Sequence, residues 1–233
     1  MMTGWLTQGE WLALMLSLKV AFWATLCSLP LGLLVGHALA RWQFWGKGVL
    51  NGLVLLPLIL PPVVTGYLLL ITFGRNGAVG AWLYQVTGFT FAFQWMGAAL
   101  AAAVMAFPMM VRAIRLSIEA VDTRLEQAAG TLGASPRWVW LTVTLPLALP
   151  GVLAGLVLAF AKAMGEFGAT ITFVASIPGQ TQTLPSAIYE ALQVPGGEAA
   201  ALRMVILSVV VAMGAVFVSE WLARGVARRV QGA

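Results

Sequence analysis

Five ionisable side chains stand inside or beside long apolar stretches: Lys19, His37, Lys162, Glu166 and Glu220. A charge in hydrocarbon costs on the order of 3 kcal/mol or more, so it pairs or faces water. Lys162 and Glu166 are four residues apart, one turn of a helix, and share a helix face. Two readings follow. The pair neutralises itself within the helix, or its face lines the route of an anion. In the second reading Lys162 lowers the barrier for a dianion, and Glu166 holds Lys162 or helps to close a gate. Lys19 lies near one end of its stretch and is expected to snorkel to the interface. His37 lies near the other end and reads as a polar interface residue rather than a ligand. Glu220 precedes Arg224 by four residues, a favourable order for a helical pair. Cys27 is the single cysteine and sits in an apolar stretch. It permits no intrachain disulfide or Cys-based metal site, and reads as a small apolar residue. One histidine excludes a His-rich metal site, and no catalytic constellation is spelled out. There is no G-x-x-x-x-G-K-[ST] phosphate loop, so the chain does not hydrolyse ATP by that route. No cofactor is expected in this chain, and energy for any uphill work must come from elsewhere.

The elements that carry these residues are membrane helices. Of 233 residues, 61% are hydrophobic and 9% charged, where soluble domains carry about 25% charged residues. So few charges cannot cover a soluble surface, whereas lipid accepts apolar side chains facing outward. Ten tryptophans fit membrane interfaces. The formal charge of +5 does not point to nucleic acid, because the basic residues are scattered at the ends of apolar segments. Residues Met1 to Glu10 hold no Lys or Arg. They lack the basic start of a secretory signal, so the first apolar segment is expected to remain as a membrane helix.

A span needs about 20 apolar residues, and five segments qualify: Leu12 to Ala40, Val49 to Phe73, Gln94 to Ile114, Leu147 to Val174 and Ala200 to about Ala223. A short helix is expected over Leu184 to Gln193. With the N-terminus outside, the inner side holds Arg41, Lys47, Arg112, Arg115, Arg124, Arg137, Arg224, Arg228 and Arg229, and the outer side only Arg75 and Arg203. That bias predicts N-terminus out and C-terminus in. Pro30 interrupts the first span, and Pro57, Pro61 and Pro62 the second. Each removes a backbone donor. Freed carbonyls at membrane depth need cover from protein or water, so kinked helices around a cavity, or kinks serving packing alone, are both consistent. Gly32 with Gly36, and Gly151 with Gly155, have the small-xxx-small spacing of close helix contacts.

The longest polar connection, about residues 115–146, faces the cytoplasm in this topology. Ser117 to Leu132 reads as an amphipathic helix, with Leu116, Ala120, Leu125, Ala128, Ala129 and Leu132 apolar or small, and Glu119, Asp122, Arg124 and Glu126 charged. Gly133 is a natural stop, because glycine adopts the left-handed conformation. Ser135-Pro136 starts another helix, with Ser as N-cap and Pro in its first turn. A helix ending at a sharp glycine turn on a membrane surface suits a groove in a soluble partner.

This segment resembles the cytoplasmic loop of ABC import permeases of the binding-protein-dependent class: E-A-A, then Gly, then an apolar run ending in Leu-Pro. Ala128, Ala129, Gly133 and Leu145-Pro146 match. With Gly133 aligned, the Glu column falls on Gln127, and Glu126 sits one residue earlier. Four further segments resemble the molybdate permeases: Leu56 to Tyr67, Phe107 to Arg115, Gly165 to Phe173 and Leu184 to Tyr189. Sulfate and tungstate permeases share the Glu-Phe-Gly-Ala segment. The resemblance spans nearly the whole chain and implies an all-α, five-span type I importer permease of the MetI-like fold, as one domain over residues 1–233 in a bacterial inner membrane. It implies two copies of the chain around one path, two ATPase subunits carrying ATP and Mg, and a soluble molybdate-binding protein. It assigns Glu126, Ala128, Ala129 and Gly133 as contacts to the ATPase. A secondary transporter would instead need its own ion-coupling site and internal repeats, and neither is evident.

Overall fold

The computed structural model describes the backbone of residues 5–230 and the side chains of residues 5–218. All regular structure among them is helical. Helix α1, Gln8–Arg41, opens with a capping box. The Thr7 amide donates to Glu10 Oε2 at 2.7 Å, and the Glu10 amide donates to Thr7 Oγ1 at 3.3 Å. The helix runs unbroken through Pro30. Next come α2, Lys47–Ile59, α3, Pro62–Phe73, the short α4, Gly80–Thr87, and α5, Trp95–Glu119. The polar connection folds as α6, Thr123–Thr131, and α7, Pro136–Val139. A π-helical turn over Trp140–Thr144 carries α7 into α8, Leu145–Met164. Then follow α9, Gly168–Val174, α10, Leu184–Gln193, and α11, Glu198–Val230. The short helix α10 lies where the sequence places it.

Four helical stretches are long and apolar enough to cross a membrane, and α2 with α3 makes a fifth when counted as one span. Two expected spans are corrected in shape. The second is no single helix: α2 and α3 meet at 113°. Leu60 and Pro61 each precede a proline and are extended, with ψ of 146° and 135°, and Pro62 then starts α3. The fourth does not reach Val174 as one rod. Its helix ends at Met164, and α9 restarts at Gly168. The two interruptions meet. A Cβ placed on Gly168 would lie 2.7 Å from Pro62 Cβ, and one on Gly66 would lie 2.6 Å from the Ala169 carbonyl oxygen. Backbone freed by each break is thus covered by the other, as a membrane interior requires.

Helix α5 is the centre of the bundle. Its Ala98, Ala101, Ala102 and Ala106 are buried with Met105, Met110 and Ile114. Between helices in lipid the hydrophobic drive is weak, and close packing of small residues takes its place. Both glycine pairs serve this purpose, pressing on α5 from two sides. A Cβ on Gly36 of α1 would fall 2.7 Å from Ile114 Cγ2, and one on Gly151 of α8 would collide with Ser117 Oγ. Ser117 Oγ also donates to the Ala148 carbonyl at 2.9 Å. At the far end from the polar connection, Arg203 Nη2 donates to Glu10 Oε1 at 2.7 Å, tying α11 to α1. Leu184 N–H donates to Ser17 Oγ at 2.7 Å, tying α10 to α1. The expected pairing of Glu220 with Arg224 lies outside the described side chains.

Candidate functional site

The amphipathic helix expected over Ser117 to Leu132 is split in two. α5 ends at Glu119, and α6 begins at Thr123 with Asp122 as its cap. The Asp122 carboxylate accepts from the Arg124 amide at 2.9 Å, a role that favours Asp outside a helix rather than within one. The end of α6 is as expected. Gly133 has φ +89°. Its amide donates to the Gly130 carbonyl at 3.0 Å, and the Ala134 amide to the Ala129 carbonyl at 3.2 Å. This is a Schellman closure. Nothing would lie within 4 Å of a Cβ on Gly133, so it is the left-handed backbone rather than crowding that demands glycine. Ser135 Oγ accepts from the Trp138 amide at 3.4 Å, and Pro136 follows in the first turn of α7.

No residue of α6 is buried. Ala128 and Gly133 are exposed and Ala129 is half-buried. Leu125, Trp138 and Leu141 are exposed beside them, and Leu132 is 89% exposed. The apolar side of this helix therefore faces away from the chain, the reverse of an amphipathic helix lying on its own protein. The sequence places Leu132 with Ala128 and Ala129 on the apolar side of this segment, but neither Leu132 nor Trp138 was named among the contact residues.

Glu126 is the exception. Its Oε1 accepts from Arg41 Nη2 at 3.1 Å and from Thr144 Oγ1 at 2.7 Å. Arg41 Nη2 also donates to the Val121 carbonyl at 2.9 Å. The Glu126 carboxylate thus ties α6 to the last residue of α1 and to the π-helical turn into α8, and Arg41 adds the turn before α6. Both side chains are about one-fifth exposed. His37, one turn before Arg41, accepts from Trp140 Nε1 through Nδ1 at 3.1 Å and stands edge-on to Trp42 and Trp140. These contacts seat His37 against the root of the loop. Arg41, Thr144 and Trp140 carried no local signal of this role.

The second candidate, Lys162 with Glu166, forms at the broken span. Lys162 Nζ donates to Glu166 Oε2 at 2.8 Å although α8 ends between them. Glu166 Oε1 accepts from the Ala169 amide at 3.1 Å, satisfying a donor freed at the start of α9. Glu166 is 2% exposed, while the Lys162 side chain is 30% exposed. An apolar cavity of about 520 Å³ lies alongside, lined by Met164, Gly165 and Phe167 with residues of α10 and α11. Neither charged residue lines it.

The described residues thus form a bundle with two broken spans packed on each other and an outward-facing helix that ends in a glycine turn. Residues 28–231 match the family described as binding-protein-dependent transport system inner membrane component, and the chain belongs to that family. It is 59% identical over 220 residues to the molybdenum transport system permease protein ModB of Escherichia coli (strain K12), covering 94% of this chain and 96% of that one. It is 53% identical over 218 residues to ModB of Haemophilus influenzae, covering 94% and 95%. The fold is that of the inward-facing MetNI methionine ABC transporter, with a TM-score of 0.69 and 17% identity over 94% of each chain. The chain is a multi-span, inner-membrane permease of the MetI-like type, as its sequence implies.

Proposed function

We propose that this chain is the membrane-spanning subunit of an ABC importer that moves an oxyanion, molybdate, into the cytoplasm, driven by ATP hydrolysis on a separate subunit. The outward-facing set around Ala128, Ala129, Leu132 and Gly133 is the observation that carries the reading. A helix with no buried residue, ending in a rigid glycine turn, is a surface built for another protein. That protein is the ATPase, with ATP and Mg bound on it. The identity of 59% to a molybdenum permease over nearly the whole chain supports the anion. The working unit holds two copies of this chain, two ATPases and a soluble molybdate-binding protein on the opposite face, with the N-terminus outside and the C-terminus inside.

In this scheme ATPase closure pushes on α6. The Arg41–Glu126–Thr144 tie passes the displacement to α1 and α8 together, so that the spans rock as bodies between inward-open and outward-open states. Lys162 lies on the path and eases the dianion past the broken spans, with Glu166 holding its ammonium in place. Selectivity resides largely in the binding protein, which leaves the path few strong ligands. The test is to reconstitute the complex with its binding protein and measure which anion stimulates ATP hydrolysis. Molybdate is expected to do so. Stimulation by sulfate but not by molybdate would overturn the assignment of the anion.

A further inference from the structure

The end of the bundle remote from α6, the face given to the binding protein in the transport scheme, carries a cleft to which that scheme assigns no role. It measures about 630 Å³ and is lined by Lys19 of α1, by Arg75 after α3, and by Thr90, Gln94 and Trp95 at the start of α5. Lys19 Nζ sits 3.7 Å from the centre of the Trp95 ring, and Arg75 stacks on Tyr84 at 4.5 Å. Among the described residues no carboxylate lines the cleft. Thr90 Oγ1 is buried there without a hydrogen-bond partner, and Gln94 caps α5 with no side-chain bond. Two cations, an unused buried donor and the positive end of a 25-residue helix thus converge on one space.

Directly along the helices from this cleft runs an apolar groove of about 380 Å³, with Trp95 lining both. Its walls are Trp23 and Cys27 of α1, and Trp95, Ala99 and Ala103 of α5. Lys19, Trp23 and Cys27 fall at steps of four on one face, as do Trp95, Ala99 and Ala103, so the groove descends about 12 Å from the cations. Depth fixes where this lies in a membrane. Lys19 and Arg41 are 22 residues apart on α1, and Trp95 and Arg115 are 20 apart on α5. At the helical rise these separations are about 33 and 30 Å, the thickness of a hydrocarbon core. The cleft is therefore at headgroup level and the groove at acyl-chain level.

We propose that cleft and groove together bind one anionic diacyl phospholipid. Its phosphate sits between Lys19 and Arg75 and accepts from Thr90, and an acyl chain lies between α1 and α5. The lipid belongs to the leaflet opposite the α6 face, and it fastens α1 to α5 at the end where no glycine pair does so. The occupant is a lipid rather than a free oxyanion because the apolar groove continues from the charges.

The test uses the complete importer complex, prepared in mixed phosphatidylglycerol and phosphatidylcholine and analysed by native mass spectrometry. One phosphatidylglycerol per permease copy is expected to remain bound, at least tenfold in preference to phosphatidylcholine. The Lys19→Gln/Arg75→Gln variant is expected to lose that preference. Cys27→Phe fills the groove without touching the cations and is expected to lower retention several-fold in an intact complex. Equal retention of the two lipids, or no effect of either variant, would overturn the proposal. So would displacement of the lipid by millimolar inorganic phosphate, which would make the cleft a site for free anions. Absence of any bound lipid from the wild-type complex would also overturn it, and would point to the second copy covering this face.

Discussion

Two glutamates carry the difference between the loop and the membrane interior. Glu126 and Glu166 each meet a cation at about 3 Å, and each was singled out by sequence for a different job. Glu166 and its Lys162 are four residues apart, so their pairing is written in the helical repeat. Glu126 and Arg41 are separated by 85 residues, and only the folded bundle brings them together. The first pair closes a local break between α8 and α9. The second joins three elements across the root of the loop. A local pair can only hold its own backbone, whereas a long-range pair can pass force from one helix to another.

That contrast is open to direct attack. The largest effect is expected from Glu166→Ala, which leaves a lysine ammonium facing the bundle unpaired and the Ala169 amide without an acceptor. Loss of one partner of a fully buried pair costs about 3–5 kcal/mol. With the Lys162 side chain 30% exposed, the expected cost is at the low end, about 3 kcal/mol, which thermal unfolding of the purified complex in lipid would register. An unchanged melting temperature would show that this pair and the Ala169 bond add nothing to stability. Gly133→Val comes next. Forcing a β-branched residue into the left-handed region costs roughly 1–2 kcal/mol, so affinity for the ATPase is expected to fall about tenfold while the bundle stays folded. Co-purification measures the first and circular dichroism the second.

The long-range tie calls for a double-mutant cycle with Arg41→Met and Glu126→Gln. A coupling energy of about 1 kcal/mol or more is expected. In the proposed scheme the tie transmits motion, so ATP consumed per anion moved is expected to rise about fivefold. A cycle that sums to zero would reduce the tie to a crystal-like surface pair. The smallest effect on folding is expected from Lys162→Met combined with Glu166→Gln. Removing both charges of a buried pair together is near neutral, within about 1 kcal/mol. If Lys162 eases the anion along the path, this well-folded variant will still transport poorly. Full uptake would take the pair off the path and leave it a purely structural role.

How much of this was legible follows the same division between local and distant. The four long apolar helices, the glycine pairs, the Gly133 turn and the Ser135 cap are encoded within a few residues, and the structure has all of them. Pro61-Pro62 announced an interruption, but the 113° turn between α2 and α3 depends on the packing of α3 against α9. The break after Met164 carried Gly165 and Gly168 around Glu166 as local marks, too weak by themselves to split an apolar run of that length. The split at Asp122 was hidden because Asp reads as a charged face position until Arg41 is seen holding the Val121 carbonyl. Leu132 was legible as part of the apolar side of this segment, but its near-complete exposure was not, because apolar residues at helical spacing point to burial within the chain's own fold.

The central claim is that this bundle moves its anion only when a separate motor pushes on α6. Uptake of radiolabelled molybdate into proteoliposomes tests it most directly, comparing the permease alone with the complex of permease, ATPase and binding protein supplied with Mg and ATP. The account predicts accumulation in the complete system, its loss when ATP is withheld, and background uptake by the permease alone. Equal rates with and without the ATPase would contradict it.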